Sequence, residues 1–258
     1  MAALVTGAAK RLGRAMALAL AEAGHDVAVH YAGSGDEAEA TAADIRALGR
    51  KAVTLKADLL DEDQTQVLLP RAVEALGQPI TVLVNNASVF EYDTIERMTR
   101  TSWDRHIESN LRAPVVLTQA LAAQAPAAVM DENGEPQAQA LVVNMVDQRV
   151  NKLTPEFMSY TIAKMGLWAF TRTAAQALAP NVRVNAIGPG PTMQGARQSN
   201  DHFARQRAAT VLGRGSDAEG IVQALLYFLN ARGVTGQLIC VDGGQHLAWQ
   251  TPDILGVE

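Results

Sequence analysis

The chain has one cysteine, Cys240, in 258 residues, so no intrachain disulfide can form and a reducing compartment is expected. It has no excess of basic charge either. Lys and Arg number 22 against 27 Asp and Glu, the net charge is −5, and the cations form no long run. A nucleic acid or an anionic membrane would want a basic face, so neither is an expected partner. No apolar run is long and clean enough to span a bilayer: residues 110–130 carry Arg112 and two glutamines and read as an interior helix. The opening MAALVTG runs straight into a strand and a glycine turn, without the signature of a signal peptide. The five histidines show no HExxH-like spacing, so no metal site is expected, and His30 and His106 read as packing or surface residues. Internal repeats and low-complexity tracts are absent. These exclusions leave a soluble, cytoplasmic protein with an ordinary 48% hydrophobic content.

What is present is a regular alternation. Strands are expected over residues 2–5, 26–31, 52–55, 80–85, 140–146, 182–187 and 237–241. Helices are expected over 12–23, 37–48, 62–76, 103–124, 157–178 and 217–229. Strands separated by helices of about 10–15 residues imply right-handed crossovers and a parallel sheet. The near-continuous apolar strands imply burial on both sides. The expected fold is α/β, a doubly wound Rossmann-type parallel sheet of about seven strands with helices on both faces, in one domain over residues 1–258. Three stretches depart from this rhythm. Residues 130–139 form a polar, turn-rich excursion, 191–215 lie where a substrate lid would sit, and 245–258 form a tail.

Directly after the first strand comes TGAAKRLG, Thr6 to Gly13. Small residues at a strand–turn–helix junction leave backbone N–H groups free to cradle a phosphate. Gly7, Lys10, Arg11, Leu12 and Gly13 are therefore candidate cofactor contacts. A site for NAD usually has an acid at the end of the second strand to hold the ribose 2′-hydroxyl. Here that strand ends His30-Tyr31-Ala32-Gly33-Ser34, with no acid, while Lys10 and Arg11 suit a 2′-phosphate. NADPH is the expected cofactor. Asp36 is expected to cap the following helix.

Tyr160 and Lys164 lie four residues apart on a predicted helix and share a face. An ammonium near a phenol favours phenolate, which makes tyrosine a usable acid at neutral pH. With them stand the Asn85-Asn86-Ala87-Ser88 turn ending the fourth strand, Asn110 in the long helix, Asn185, and Gly188-Pro189-Gly190 at the sixth strand. Together with Thr6–Gly13, this set resembles the short-chain dehydrogenase/reductase family over essentially the whole chain. The resemblance implies that Tyr160 is the general acid/base, that Lys164 binds the nicotinamide ribose and lowers the tyrosine pKa, and that Asn110 holds a water of the proton relay. It also implies cofactor contacts from Tyr31, Ser34, Asp58, Leu59, Asn86, Ala87, Ser88, Pro189 and Gly190. Members of the family are usually homotetramers, which implies one here through the 103–124 and 157–178 helices.

Two departures narrow the resemblance. Arg11 replaces a glycine of the ordinary turn, and Asp147, thirteen residues before Tyr160, replaces the ordinary serine. Both look like the pteridine reductase branch. There the arginine contacts phosphate and pterin, and the aspartate joins the tyrosine in protonating substrate. Phe90 matches the aromatic that stacks the pterin, and Ser88 a polar contact to it. That branch carries basic or imidazole residues near Ala32 and Gly33, so the phosphate clamp here falls to Arg11 and Ser34. The chemistry agrees with the resemblance. An ionised aspartate repels the oxyanion of a ketone undergoing reduction, but stabilises a C=N nitrogen that must gain a proton. The expected substrate is a dihydropterin or dihydrofolate bound by Arg11, Ser88, Phe90, Asp147 and Tyr160. The alternatives are a ketone reductase of the same fold, a catalytically silent nucleotide-sensing module, and an Asp147 that merely caps a turn or pairs with Arg149.

Overall fold

In the first strand, β1 (Ala2–Val5), every residue is buried and alternate side chains enter different cores. Ala3 and Val5 point to one, Ala2 and Leu4 to the other. Such a strand needs cover on both faces, and the rest of the chain supplies it. In this computed structural model, residues 1–194 and 198–250 are described. The remaining strands are β2 (Asp26–Tyr31), β3 (Ala52–Lys56), β4 (Ile80–Asn85), β5 (Val129–Met130), β6 (Pro136–Gln137), β7 (Ala140–Met145), β8 (Val182–Pro189) and β9 (Leu238–Val241). Seven of them make one parallel sheet in the order β3-β2-β1-β4-β7-β8-β9.

The helices are α1 (Arg11–Glu22), α2 (Gly35–Ala47), α3 (Glu62–Leu76), α4 (Arg100–Ile107), α5 (Ala113–Gln124), α6 (Met158–Leu178), α7 (Asn200–Ala208) and α8 (Ala218–Asn230). Met16 and Leu20 of α1, Ile45 of α2 and Phe228 of α8 fill the core on one face of the sheet. Leu68 and Leu76 of α3, Leu117 and Leu121 of α5, and Ala174 of α6 fill the other. The winding of the chain across the sheet switches direction between β1 and β4, and the crevice beyond the carboxyl ends of those parallel strands is where such sheets hold ligands. Thr6, Asn86, Asp147 and Gly190 all follow strand ends on that side.

Several local expectations are corrected. The helix expected over 103–124 is broken into α4, a π turn (Glu108–Arg112) and α5. Pro114 has no N–H to return to the carbonyl four residues back, that of Asn110, so the ladder there cannot stay regular. Asp36 does not cap α2: Ser34 holds the N-cap position, and Asp36 lies in the first turn, where its charge still favours the helix dipole. The 130–139 excursion contains a short antiparallel pair, β5 with β6. Strand β8 continues to Pro189, which pairs with Val241. The lid expected at 191–215 includes α7, with residues 195–197 outside the described residues; of the tail, 251–258 lie outside them. Among the described residues no helix is long and apolar enough to cross a membrane.

The start of α1 packs against the turn that precedes it, and Gly13 makes this possible. A Cβ there would lie 2.2 Å from the Gly7 carbonyl oxygen and 2.6 Å from the Asn86 amide nitrogen. Gly13→Ala is therefore expected to destabilise the protein by about 1–3 kcal/mol, read as a lower midpoint in urea unfolding with an unchanged slope.

Candidate active site

The turn after β1 is held from three sides. The Thr6 hydroxyl accepts the N–H groups of Asn86 and Ala87, each at 2.9 Å. The Asn86 amide donates back to the carbonyls of Thr6 (2.8 Å) and Gly7 (3.2 Å). From β2, the buried His30 accepts the Gly7 N–H on Nδ1 at 3.0 Å, and its Nε2 faces the Ala57 carbonyl at 3.1 Å. Because Nδ1 accepts, the proton sits on Nε2 and donates to Ala57. Burial drops the His30 pKa to about 4, so the ring is neutral at physiological pH. Gly7 takes a left-handed φ of 62°, which glycine adopts without strain.

The two cations of the turn already have partners. Lys10 pairs with Glu37 at 2.8 Å on the surface. The Arg11 guanidinium donates to the carbonyls of Gln194 (2.8 Å) and Met193 (3.0 Å), bridging the turn to the expected lid. Ser34 and Tyr31 follow the end of β2 close by, Tyr31 packing near Gly35. Asp58 and Leu59 follow β3, with the Asp58 carboxylate accepting the Leu60 N–H at 3.0 Å.

The acid group assembles at the end of β7. One oxygen of Asp147 accepts the Arg149 N–H at 2.8 Å and caps a 3-10 turn (Gln148–Val150). The other accepts the Tyr160 hydroxyl at 3.0 Å. Asp147 thus caps a turn and faces the phenol at once. Burial raises its carboxyl pKa, against the lowering effects of the Arg149 N–H, the Arg149 charge, Tyr160 and Lys164. Tyr160 is pushed well above its ordinary value, first by burial and then by the Asp147 charge and hydrogen bond.

Lys164 lies one turn further along α6 from Tyr160. Its ammonium donates to the Met145 carbonyl at 2.8 Å and lies 5.6 Å from the centre of the Tyr160 ring. Burial lowers its own pKa to about 8. Burial and the Asp147 carboxylate thus favour the protonated phenol. Asn110, in the π turn, spends its side chain on Val89, accepting from the N–H at 2.9 Å and donating to the carbonyl at 2.8 Å. It therefore fixes the loop that carries Ser88 and Phe90. The Ser88 hydroxyl donates to the Val89 carbonyl at 3.4 Å. Phe90, 45% exposed, stands edge-on to Tyr160 at 4.7 Å and stacks on Phe157 at 4.4 Å.

Across the crevice, Gly190 follows Pro189, and a Cβ on it would meet Asp242 at 2.5 Å, so the chain passes close there. The structure thus gathers Ser88, Phe90, Asp147, Tyr160 and Lys164, while Asn86 and Asn110 serve as braces. A cavity of about 480 Å³ lies elsewhere, beside Cys240, Asp242 and His246, and includes none of the acid group. Sequence reasoning read His30 and His106 as packing or surface residues and named Arg149 only as a partner of Asp147, and it missed the buried Ser159 and Asp93. His30 carried one signal, as the polar residue inside an apolar strand next to the phosphate turn.

The fold is a Rossmann-type α/β sheet, and comparison with known proteins shows the family it belongs to. Residues 7–246 match the family described as enoyl-(acyl carrier protein) reductase. The chain belongs to the short-chain dehydrogenase/reductase family and is an oxidoreductase of that family. It is 32% identical over 251 residues to the 3-oxoacyl-[acyl-carrier-protein] reductase FabG of Staphylococcus epidermidis, covering 95% of this chain and 98% of that one. Among solved structures it resembles the FolM alternative dihydrofolate reductase 1 of Brucella canis complexed with NADP, at 44% identity and a TM-score of 0.90. That match covers 98% of this chain and 96% of that one. The same enzyme from Brucella suis, also in complex with NADP, matches at 44% and 0.90 over 98% of each chain.

Tyr160→Phe removes the O–H that helps hold Asp147 ionised. The Asp147 carboxyl is then expected to titrate at still higher pH, visible in the carbon-13 shift of its carboxyl measured in both proteins.

Proposed function

We propose that this chain is an NADPH-dependent reductase of a C=N bond in a pterin, either a dihydropterin or dihydrofolate. The observation that carries this reading is the 3.0 Å hydrogen bond from Tyr160 to Asp147. It makes a carboxyl group part of the proton-delivering pair, in place of the neutral serine that the resemblance leads one to expect. The similarity to dihydrofolate reductases crystallised with NADP supports it.

The residues present fit the cofactor. The cradle at Gly7 leaves no room for a side chain, since a Cβ would lie 3.1 Å from Ala87. No acid directly follows β2, and Lys10 and Ser34, with Arg11 in the same turn as Lys10, would hold the cofactor's phosphates. Lys10 exchanges partners at small cost, because its pair with Glu37 is half exposed. Asn86, Ala87, Asp58 and Leu59 line the adenosine end, and Pro189 and Gly190 the nicotinamide end. When bound, the reduced nicotinamide supplies hydride to the carbon of the C=N bond.

The chain's own residues do the rest. Phe90 stacks the flat heterocycle, and Ser88 and Arg11 hold its polar edge. Asp147, with its raised pKa, gives a proton to the ring nitrogen and then faces the resulting cationic edge as a carboxylate. Tyr160 keeps its proton at neutral pH and donates a hydrogen bond to the ring. Lys164, anchored on Met145, keeps the phenol in place and is available to the ribose. The same set treats a ketone poorly, because a carboxyl that ionises beside a developing oxyanion opposes it. The similarity to FabG favours the ketone reading, and Asp147 is the residue that separates the two. We also propose assembly as a homotetramer through α4, α5 and α6; Ile162 and Met165 of α6 are exposed in the single chain.

A substrate panel following NADPH absorbance, with NADH as control, is expected to show turnover of dihydrobiopterin, dihydromonapterin or dihydrofolate. Asp147→Ser should lower that rate about a hundredfold or more and raise any ketone activity. Good ketone turnover with none on any pterin contradicts the reading. The pH profile carries a second expectation. The protonated fraction of Asp147 falls as pH rises through its elevated pKa, so kcat/KM for the pterin should decline with pH from above the ordinary 3.8. Asp147→Asn should abolish that descending limb.

A further inference from the structure

Helix α6 begins with an unusual residue for a helix start. Phe157 occupies its N-cap in the left-handed region (φ 55°) and has no side-chain acceptor for the open N–H groups of the first turn. For a bulky side chain that backbone costs about 1–2 kcal/mol, and it persists only where the surroundings impose it. Asp93, on the loop after β4, imposes it. Its backbone carbonyl accepts the Phe157 N–H at 2.8 Å, its Oδ1 accepts the Ser159 N–H at 3.2 Å, and its Oδ2 accepts the Ser159 hydroxyl. A residue from a different segment thus caps the catalytic helix.

The chain of bonds continues. Ser159 Oγ lies 2.7 Å from Nδ1 of His106 in α4, and Nε2 of His106 accepts the Glu91 N–H at 3.0 Å. That last bond fixes the polarity. Nε2 is an acceptor, so Nδ1 carries the proton and donates to Ser159, which in turn donates to Asp93. Asp93, His106 and Ser159 are each at most 1% exposed. The serine sits between histidine and carboxylate and has no path to solvent, so this is not a nucleophile.

The consequence lies next door. Glu91 and Asp93 flank the loop that bears Phe90; Phe157 is the ring on which Phe90 stacks, and Tyr160 follows Ser159 directly. His106 itself stands edge-on to Tyr160 at 5.9 Å. We propose that Asp93, acting through Ser159 and His106, is the positioning residue that sets the Tyr160 hydroxyl against the Phe90 wall. Asp93 touches no reacting atom. The inference rests on the proposed function for the roles of Phe90 and Tyr160, though not for the identity of the substrate.

The test compares wild type with Asp93→Asn, Asp93→Ala, Ser159→Ala and His106→Gln, measuring kcat, KM and NADPH affinity separately, with thermal stability alongside. Assays use whichever panel compound the wild type reduces, so absence of pterin turnover counts against the pterin reading alone. Asp93→Ala is expected to lower kcat about a hundredfold, the scale of a misplacement near 1 Å, and to raise substrate KM. Asp93→Asn keeps one acceptor and should recover part of the rate. NADPH affinity should stay within about twofold, because Asp93, Ser159 and His106 make no hydrogen bond to the phosphate turn, whose braces are Asn86, Ala87 and His30. A crystal structure of Asp93→Asn should show the Phe90–Tyr160 ring separation changed from 4.7 Å with the sheet intact, a readout that needs no activity. Lower stability with unchanged kcat, an NADPH affinity that falls in step with kcat, or an unaltered ring separation overturns the proposal.

Discussion

The Tyr160 hydroxyl meets the Asp147 carboxylate in a part-buried crevice, and the rest of the site is arranged around keeping that contact. Two acids side by side in water would exchange their protons with solvent and carry no information. Enclosed, each one changes the other. Burial and the neighbouring charge hold the phenol protonated, and burial raises the carboxyl toward a state in which it too can give up a proton. A pair of this kind suits a substrate that accepts protons on nitrogen.

The contact depends on how α6 is fastened to β7. Asn85 donates to the Asn144 side chain at 2.8 Å, and Asn144 donates to Thr171 at 2.9 Å, so a buried polar chain ties β4, β7 and α6 together. Lys164, bound to the Met145 carbonyl, is a second bolt between the same helix and strand. With those in place, Asp147 has no freedom beyond its own turn, and the phenol reaches it. The loop from Asn86 to Asp93 then joins the two halves of the site. Its first residue braces the phosphate turn, Val89 is gripped by Asn110, and its last residue caps the catalytic helix.

Much of this was legible in the sequence, and the reasons differ by element. The parallel sheet could be read because strands buried on both faces are apolar along their length, and because the helices between β1, β2, β3 and β4 stop at Gly24, Gly49 and Gly77. Tyr160 with Lys164 was legible from helical spacing, and Asp147 from its distance to the tyrosine. Spacing shows which residues approach, not which atom they bind. Lys164 was expected near the phenol, and the Met145 carbonyl that its ammonium also contacts leaves no mark in sequence. Lys10 found Glu37, 27 residues away, for the same reason. Asp93, His106 and Ser159 come from three segments, and none has a neighbour in sequence that predicts the others. The left-handed Phe157 is likewise invisible, since phenylalanine carries no bias toward that conformation.

The most direct test is a crystal structure with NADP and a dihydropterin bound together. The interpretation predicts an Asp147 carboxylate oxygen within hydrogen-bonding distance of a ring nitrogen, with the Tyr160 hydroxyl on the same ring and Phe90 against its face. A pterin held away from Asp147, with that carboxylate still paired only to Tyr160 and Arg149, would contradict it.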